Sequence, residues 1–388
     1  MEDKLKVIGP TDITEMVKGK TRIILISDYH DNYKVKSCKK KKDSILTTEL
    51  IENLISKDKN KQWDFYLEQG SRTKSFFFNR YYSSIQEMKE NYFNCKKSNS
   101  KEKFCINIEF VFYYFASKGC FLKKKCIHDN TRFHFIDIRQ DYFNNINFYS
   151  NKPESFLKLD LKFYIFKFYK YNDRENIKDL INHELFLILK NLKSLKKLIN
   201  RNRKNNKIMK QILKSEQSES IYSYFFELIC DYEEIINLLI KKFNKNNINK
   251  FSNSFIKILE NFKSLDEFHE NFEFFNEKIV NIIDNFFGKD LEKVEIFYEK
   301  NLHNGEDDNN FYMFFVGGLE HLMGFYVDLY TLGRMFRKFD GKKQKNVIVL
   351  AGQGHINVYK EFLKSIKFKT KFVSEKENIR CQIIPNIL

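Results

Sequence analysis

The chain has little that turns or breaks a backbone, with 3 Pro and 13 Gly in 388 residues. Turn chemistry is therefore scarce, which favours long helices. It has no P-loop, no G-x-G-x-x-G, no H-E-x-x-H and no G-x-S-x-G. Those absences argue against nucleotide hydrolysis of the usual kind, dinucleotide redox chemistry, zincin proteolysis and serine hydrolysis. Nor does it carry an RNP, zinc-finger or helix-turn-helix pattern. No uninterrupted apolar run is long enough to cross a membrane. The most apolar long stretch, residues 311–332, is interrupted by Glu320, His321 and Asp328, which reads as a buried helix. Residues 1–6 are charged and no apolar core follows them, unlike a signal peptide.

The seven cysteines (Cys38, Cys95, Cys105, Cys120, Cys126, Cys230 and Cys381) include no C-x-x-C pair. Their odd number and the N-terminal composition favour free thiols in a reducing, cytoplasmic compartment.

Aromatics and positive charge, by contrast, are abundant. Phe and Tyr number 41 and 21, and the formal net charge is +17. The bias towards Lys, Asn, Ile, Phe and Tyr is what an AT-rich genome produces. Because the charge is scattered, Lys inflation explains it better than a nucleic-acid partner, which stays open as the lesser alternative. The run Lys196, Lys197, Arg201, Arg203, Lys204, Lys207 and Lys210 reads as a solvated helix face, with a phosphate-binding patch as the alternative. Oligomeric state is not readable.

Short β-type runs end in polar signatures at four places. Residues 22–26 lead into Ser27-Asp28-Tyr29-His30, and residues 63–67 into Glu68-Gln69-Gly70. Residues 133–136 lead into Asp137-Ile138-Arg139, and residues 346–351 into Gly352-Gln353-Gly354-His355. Such runs suit buried parallel strands whose carboxyl ends open on a crevice, the edge where α/β sheets bind ligands. The expected fold is α/β: a mainly parallel central sheet flanked by helices. Smaller elements are a strand at residues 4–8, a brief helix opened by Thr11-Asp12, a helix over 45–56 and others near 83–93 and 105–117. Towards the end come a helix over 310–339 weakened at Gly317-Gly318 and Gly333, a helix over 357–365, and a strand at 371–374 pairing with 381–384.

Between residues 153 and 302 no β-run appears, and apolar residues recur at three and four. Examples are Leu185, Ile188 and Leu192, or Ile235, Ile236, Leu239 and Ile240. The expected organisation is a core of residues 1–152 and 303–388, with an all-helical insertion, residues 153–302, between the third and last core strands.

His30 follows a strand with Asp28 and Asp31 beside it, so a carboxylate there could orient its imidazole or ligate a metal; a capped loop residue is the alternative. Glu68, at a strand end, suits general-base work or cation binding, against a salt bridge to Arg72 or Arg139. Asp137 and Arg139 alternate around Ile138 and so point to one side of a strand, with a role in the site or, as the alternative, an ion pair between this strand and its neighbour. The glycines of Gly352-Gln353-Gly354-His355 let backbone N–H groups approach an anion or oxyanion, with His355 facing the same crevice. His321 and Asp328 share one helix face, and Tyr330 and Arg334 another; all four read as polar lining of a buried helix. The remaining histidines, His134 and His128 among them, have no partner at convincing spacing.

A strand followed by a small residue and His, a second ending in Glu, and a late strand ending in Gly-x-x-His resemble the TIKI/TraB superfamily, with its erythromycin-esterase-like and ChaN-like members. The matching positions are His30, Glu68, and Gly352 with His355; Ser27 stands where the family has Gly. The combination with Ile-Asp-Ile-Arg and Asp-x-Tyr-x-x-x-Arg-Met-Phe is also similar to proteins of large DNA viruses. That resemblance implies a host-cytoplasm or virion setting. The family's members range from metal-dependent peptidases to metal-independent esterases to binding proteins, and the first reading is a hydrolase, peptidase-like or esterase-like. On this reading His30, Glu68, His355 and Arg139 are catalytic. Asp28, His30, Glu68, Asp137 and His355 are candidate ligands of a divalent metal, Zn or Mn. Backbone N–H groups at Gly352 and Gly354 form an oxyanion site. The second reading is a non-enzymatic binding or virion-associated protein that retains the fold.

Overall fold

The computed structural model describes residues 4–28, 44–57, 59–70, 107–121, 126–138, 161–171, 174–199, 207–294, 296, 319–378 and 380–385. The chain opens with strands β1 (Lys4–Ile8), β2 (Asp12–Lys18) and β3 (Thr21–Asp28), then the short β4 (Ser44–Leu46) and helix α1 (Thr47–Lys57). Next come β5 (Trp63–Gly70), α2 (Asn107–Ser117) and β6 (Thr131–Asp137). Helices α3 (Leu161–Tyr171), α4 (Arg174–Ile199), α5 (Lys207–Leu213), α6 (Ser218–Lys242), α7 (Lys245–Leu259), α8 (Leu265–Glu270) and α9 (Phe272–Phe287) follow. The last elements are α10 (Leu319–Met335), β7 (Asn346–Gly352), α11 (Gln353–Ser365), β8 (Lys369–Val373), β9 (Glu375–Asn378) and β10 (Cys381–Pro385).

The four signature runs are neighbours in a six-stranded sheet of order β6-β5-β7-β3-β2-β8. The pairs β6·β5, β5·β7 and β7·β3 are parallel, with Phe65 opposite Ile348 and Ile348 opposite Ile24. Central strands covered on both faces must be apolar throughout. Accordingly β7 is buried from Val347 to Gly352. One face of the sheet carries Ile24, Ile26, Phe65, Leu67, Ile348 and Leu350, which pack with Leu50 and Leu54 of α1 and Phe110 and Phe115 of α2. The alternation of β5 turns Asp64, Tyr66 and Glu68 to the opposite face. Tyr66 there hydrogen-bonds the end of α10.

β1, β4, β9 and β10 form a separate four-stranded sheet of order β4-β1-β10-β9. Its Val7, Ile8, Cys381 and Ile384 join the same core. No helix among the described residues is long and apolar enough to cross a membrane.

Several local expectations are corrected. Thr11-Asp12 opens no helix: β2 is a strand paired with β3 across a tight turn, where Gly19 takes a φ of 57°. β-Branched Ile13, Thr14 and Val17 and the cross-strand Arg22–Glu15 ion pair favour that outcome over the capping signal. β8 pairs with β2, not with β10, which lies between β1 and β9. α11 starts at Gln353, directly after Gly352, instead of at residue 357.

Gly333 does not weaken α10, which runs through it to Met335. A Cβ there would stand 2.9 Å from the Ile212 nitrogen, so the glycine permits close backbone approach. Free thiols are not what is found at Cys120 and Cys126, which are bridged, and Cys381 is bridged as well. The turn at Lys118–Phe121, with Gly119 and Phe121 at φ of 79° and 63°, brings the two α-carbons to 4.4 Å. The Cys230 side chain is exposed.

The chain divides into two compact units: Met1–Asp141 with Lys210–Tyr224 and Val327–Leu388, and Tyr142–Met209 with Phe225–Tyr326. The first holds both sheets. In the second, the described residues are helical. There Ser252 of α7 donates to Asn182 of α4, and the Phe268 and Phe275 rings meet edge to face at 4.6 Å. Asn244 caps α7 by accepting from the Asn247 N–H, the expected work of a polar residue before a helix.

Candidate functional site

Glu68 sits near the carboxyl end of β5 and His355 in the first turn of α11, just beyond β7. Because β5 and β7 are adjacent and parallel, both groups reach the same edge of the sheet. Asp328 comes from α10. The His355 imidazole is held between the two carboxylates, with Nδ1 2.6 Å from Asp328 Oδ1 and Nε2 3.3 Å from Glu68 Oε1. The other Glu68 oxygen accepts the Gly352 backbone N–H at 2.6 Å. The His355 side chain keeps 13% of its surface exposed, against 1% for Glu68.

The electrostatics follow from this clamp. Burial alone would lower the His355 pKa, but the Asp328 and Glu68 carboxylates outweigh it and hold the group well above the ordinary imidazole value. Burial raises Asp328 above the usual carboxylate value, against the pull of His355. Tyr359, four residues after His355 on α11, lies beside Asp328 and Thr331. Its buried hydroxyl forms no well-aligned hydrogen bond among the described residues, and burial with the neighbouring Asp328 charge pushes its pKa well up.

Of the residues singled out from sequence, the fold brings Glu68 and His355 together. His30 and Arg139 lie outside the described residues. Asp28 ends β3 but is fully buried in an ion pair with Arg380, and its Oδ2 accepts the Ile108 N–H at the start of α2. Arg380 also donates to the Gly9 carbonyl, so Asp28 ties β3 to α2 and to the loop after β1. Asp137 ends β6 opposite Gly70 on the edge strand. The Gly352 N–H is taken by Glu68 and so does not point to an oxyanion. Gly354 is exposed, and a Cβ there would meet nothing within 4 Å, so no close approach requires a glycine.

Of the candidate metal ligands, His355 has both ring nitrogens facing carboxylates and Asp28 is matched by Arg380. Among the described residues no three His, Cys, Asp or Glu are grouped as metal ligands.

Sequence spacing assigned Asp328 and Arg334 to a passive helix lining and left His134 and His128 without partners. In fact Asp328 orients His355. His134 joins Asp64 and Arg334, with Nε2 2.9 Å from Asp64 and Nδ1 2.9 Å from Arg334. His128 lies 3.4 Å from Glu52, which also accepts from Tyr114 and Lys118. Only the i, i+2 alternation of Asp64, Tyr66 and Glu68 signalled that one face of β5 is polar. Comparison with family models, curated proteins and solved structures gave no match.

Proposed function

We propose that the chain is a hydrolase whose acid–base pair is His355 and Glu68, with Asp328 orienting the imidazole. The observation that carries this reading is the clamping of one partly exposed imidazole between two carboxylates at the carboxyl edge of a parallel sheet. Glu68, ionised, takes a proton from the attacking water as its oxygen adds to an acyl carbon. His355, protonated, gives its proton to the leaving oxygen or nitrogen. Transfer of the proton from Glu68 to His355 across their 3.3 Å gap restores the starting state. Asp328 fixes the ring so that Nε2 faces Glu68, the orienting role a carboxylate plays beside a working histidine. The resemblance of Glu68 and of Gly352 with His355 to TIKI/TraB motifs points the same way. We read the helices between β6 and α10 as an insertion into the α/β core.

One observation favours the second reading, a binding protein that retains the fold. Glu68 is nearly inaccessible and already engaged by Gly352 and His355, as in a structural tie. The test is hydrolysis of a panel of carboxylic esters and peptides by the purified protein, its His355→Gln and Glu68→Gln variants, and the protein after chelation. The hydrolase reading expects turnover that both variants lose while their folds persist, and that survives chelation. Folded parent protein that cleaves no member of the panel, or variants as active as the parent, would leave the binding reading in place.

A further inference from the structure

At the opposite end of β5, three guanidinium groups crowd one aromatic ring. The Cζ atoms of Arg132, Arg334 and Arg337 lie 4.7, 5.3 and 5.4 Å from the centre of the Phe339 ring. The ring is held rigidly. Phe339 and Lys342 exchange both backbone hydrogen bonds across an Asp340-Gly341 turn, in which both central residues have positive φ, 51° and 74°. Asp-Gly is the pairing such a tight turn prefers. The last turn of α10, which carries Arg334, is fixed too, because Gln344 donates to the Arg334 and Arg337 carbonyls at 2.6 and 3.0 Å.

Among the described residues the charges here do not balance. Arg132 is matched by a two-pronged pair with Asp64, both contacts 2.7 Å, and the exposed Asp340 also acts on it. Among the described residues Arg334 donates to neutral groups, the His134 Nδ1 and the Tyr330 hydroxyl, and its buried Nε has no acceptor there. Arg337 donates to the neutral Gln211 side chain at 3.0 Å. Neither makes an ion pair among the described residues. Lys338 and Lys343 beside them share the single carboxylate of Glu216. The partial charge at the end of α10, about −0.5, offsets part of one guanidinium. Like charges gathered this closely repel, and they persist where a ligand supplies the counter-charge.

We propose that Arg334 and Arg337, with Arg132 and the Phe339 platform, bind a phosphoryl dianion, either inorganic phosphate or the phosphate of a phosphomonoester. The charge of a phosphomonoester near pH 7, about −1.5 to −2, matches the two guanidinium groups that no carboxylate among the described residues answers. The three Cζ atoms gather within 5.4 Å of the ring centre, beside the His134 ring stacked on it, and guanidinium N–H groups are the donors that fork onto phosphate oxygens. The site is separate from His355: Asp64 and Glu68 are four residues apart on one strand, roughly 13 Å at the usual rise.

The test is titration calorimetry of the full chain with inorganic phosphate and with adenosine 5′-monophosphate, on the parent, Arg337→Gln, Arg334→Lys and His355→Gln. Saturable binding of at least one probe is expected at millimolar concentrations or below. It should weaken about tenfold or more in both arginine variants, the loss of a charge-assisted hydrogen bond, and stay unchanged in His355→Gln. Tighter binding of the nucleotide would assign the site to a phosphomonoester, and equal binding to free phosphate. Melting curves of the variants guard against misfolding, and Arg337→Gln, on a partly exposed side chain, decides if Arg334→Lys unfolds. No saturable binding of either probe, binding unaffected by Arg337→Gln, or binding only to single-stranded nucleic acid would overturn the proposal.

Discussion

His355 Nδ1 stands 2.6 Å from Asp328 Oδ1, joining the first turn of α11 to the middle of α10. Removing either partner strands a buried charge, and breaking such a pair costs about 3–5 kcal/mol. Asp328→Asn should therefore lower unfolding stability by about that amount in urea titrations, while leaving the Glu68 carboxylate beside the ring. Stability within about 0.5 kcal/mol of the parent would mean that the pair is solvated and weak.

Two histidines should shift stability in opposite directions with pH. The folded pKa of His355 is raised, so its contribution is complete below the unfolded value of about 6.5 and is lost as pH rises through the folded value. That of His134 is lowered, first by burial and also by Arg334, against the pull of Asp64. The unfolded chain then takes up the extra proton, so His134 weakens the fold as pH falls below about 6.5. Melting curves from pH 5 to 9 should show His134→Gln flattening the acid limb and His355→Gln flattening the alkaline one. The reverse assignment would contradict the environments described here.

Three glycines should respond differently to alanine. Gly333→Ala places a Cβ against the Ile212 and Gln211 backbone and should cost about 1–3 kcal/mol by overpacking. Gly341→Ala meets no neighbour but must hold a φ of 74°, a penalty of about 1–2 kcal/mol. Gly354→Ala meets neither obstacle within α11 and should stabilise by about 0.5–1 kcal/mol. Denaturant midpoints of the three variants check this order.

The parallel arrangement of β3, β5, β6 and β7 was legible because continuous apolar runs ending in polar groups have few other uses in an α/β chain. That Glu68 and His355 reach one edge of the sheet was legible for the same reason, as Glu68 lies near the end of its strand and His355 in the helical turn just beyond the next. Asp328 was not, since the partner of a helical carboxylate depends on how α10 lies over the sheet, and spacing along one helix cannot supply that. The gathering of Arg132 and Arg337 around Phe339 depends on long-range pairing. β2 was misread because Thr11-Asp12 satisfies a capping pattern locally, whereas its strand state rests on pairing with β3 and β8.

The most direct measurement is an NMR titration of the His355 ring nitrogens in the parent and in Glu68→Gln. The account predicts an imidazole still doubly protonated at pH 7.5, with a pKa well above the ordinary value of about 6.5, and a lower pKa once Glu68 loses its charge. A ring that is neutral at that pH in the parent, or that titrates identically in Glu68→Gln, would contradict the clamp on which the acid–base assignment rests.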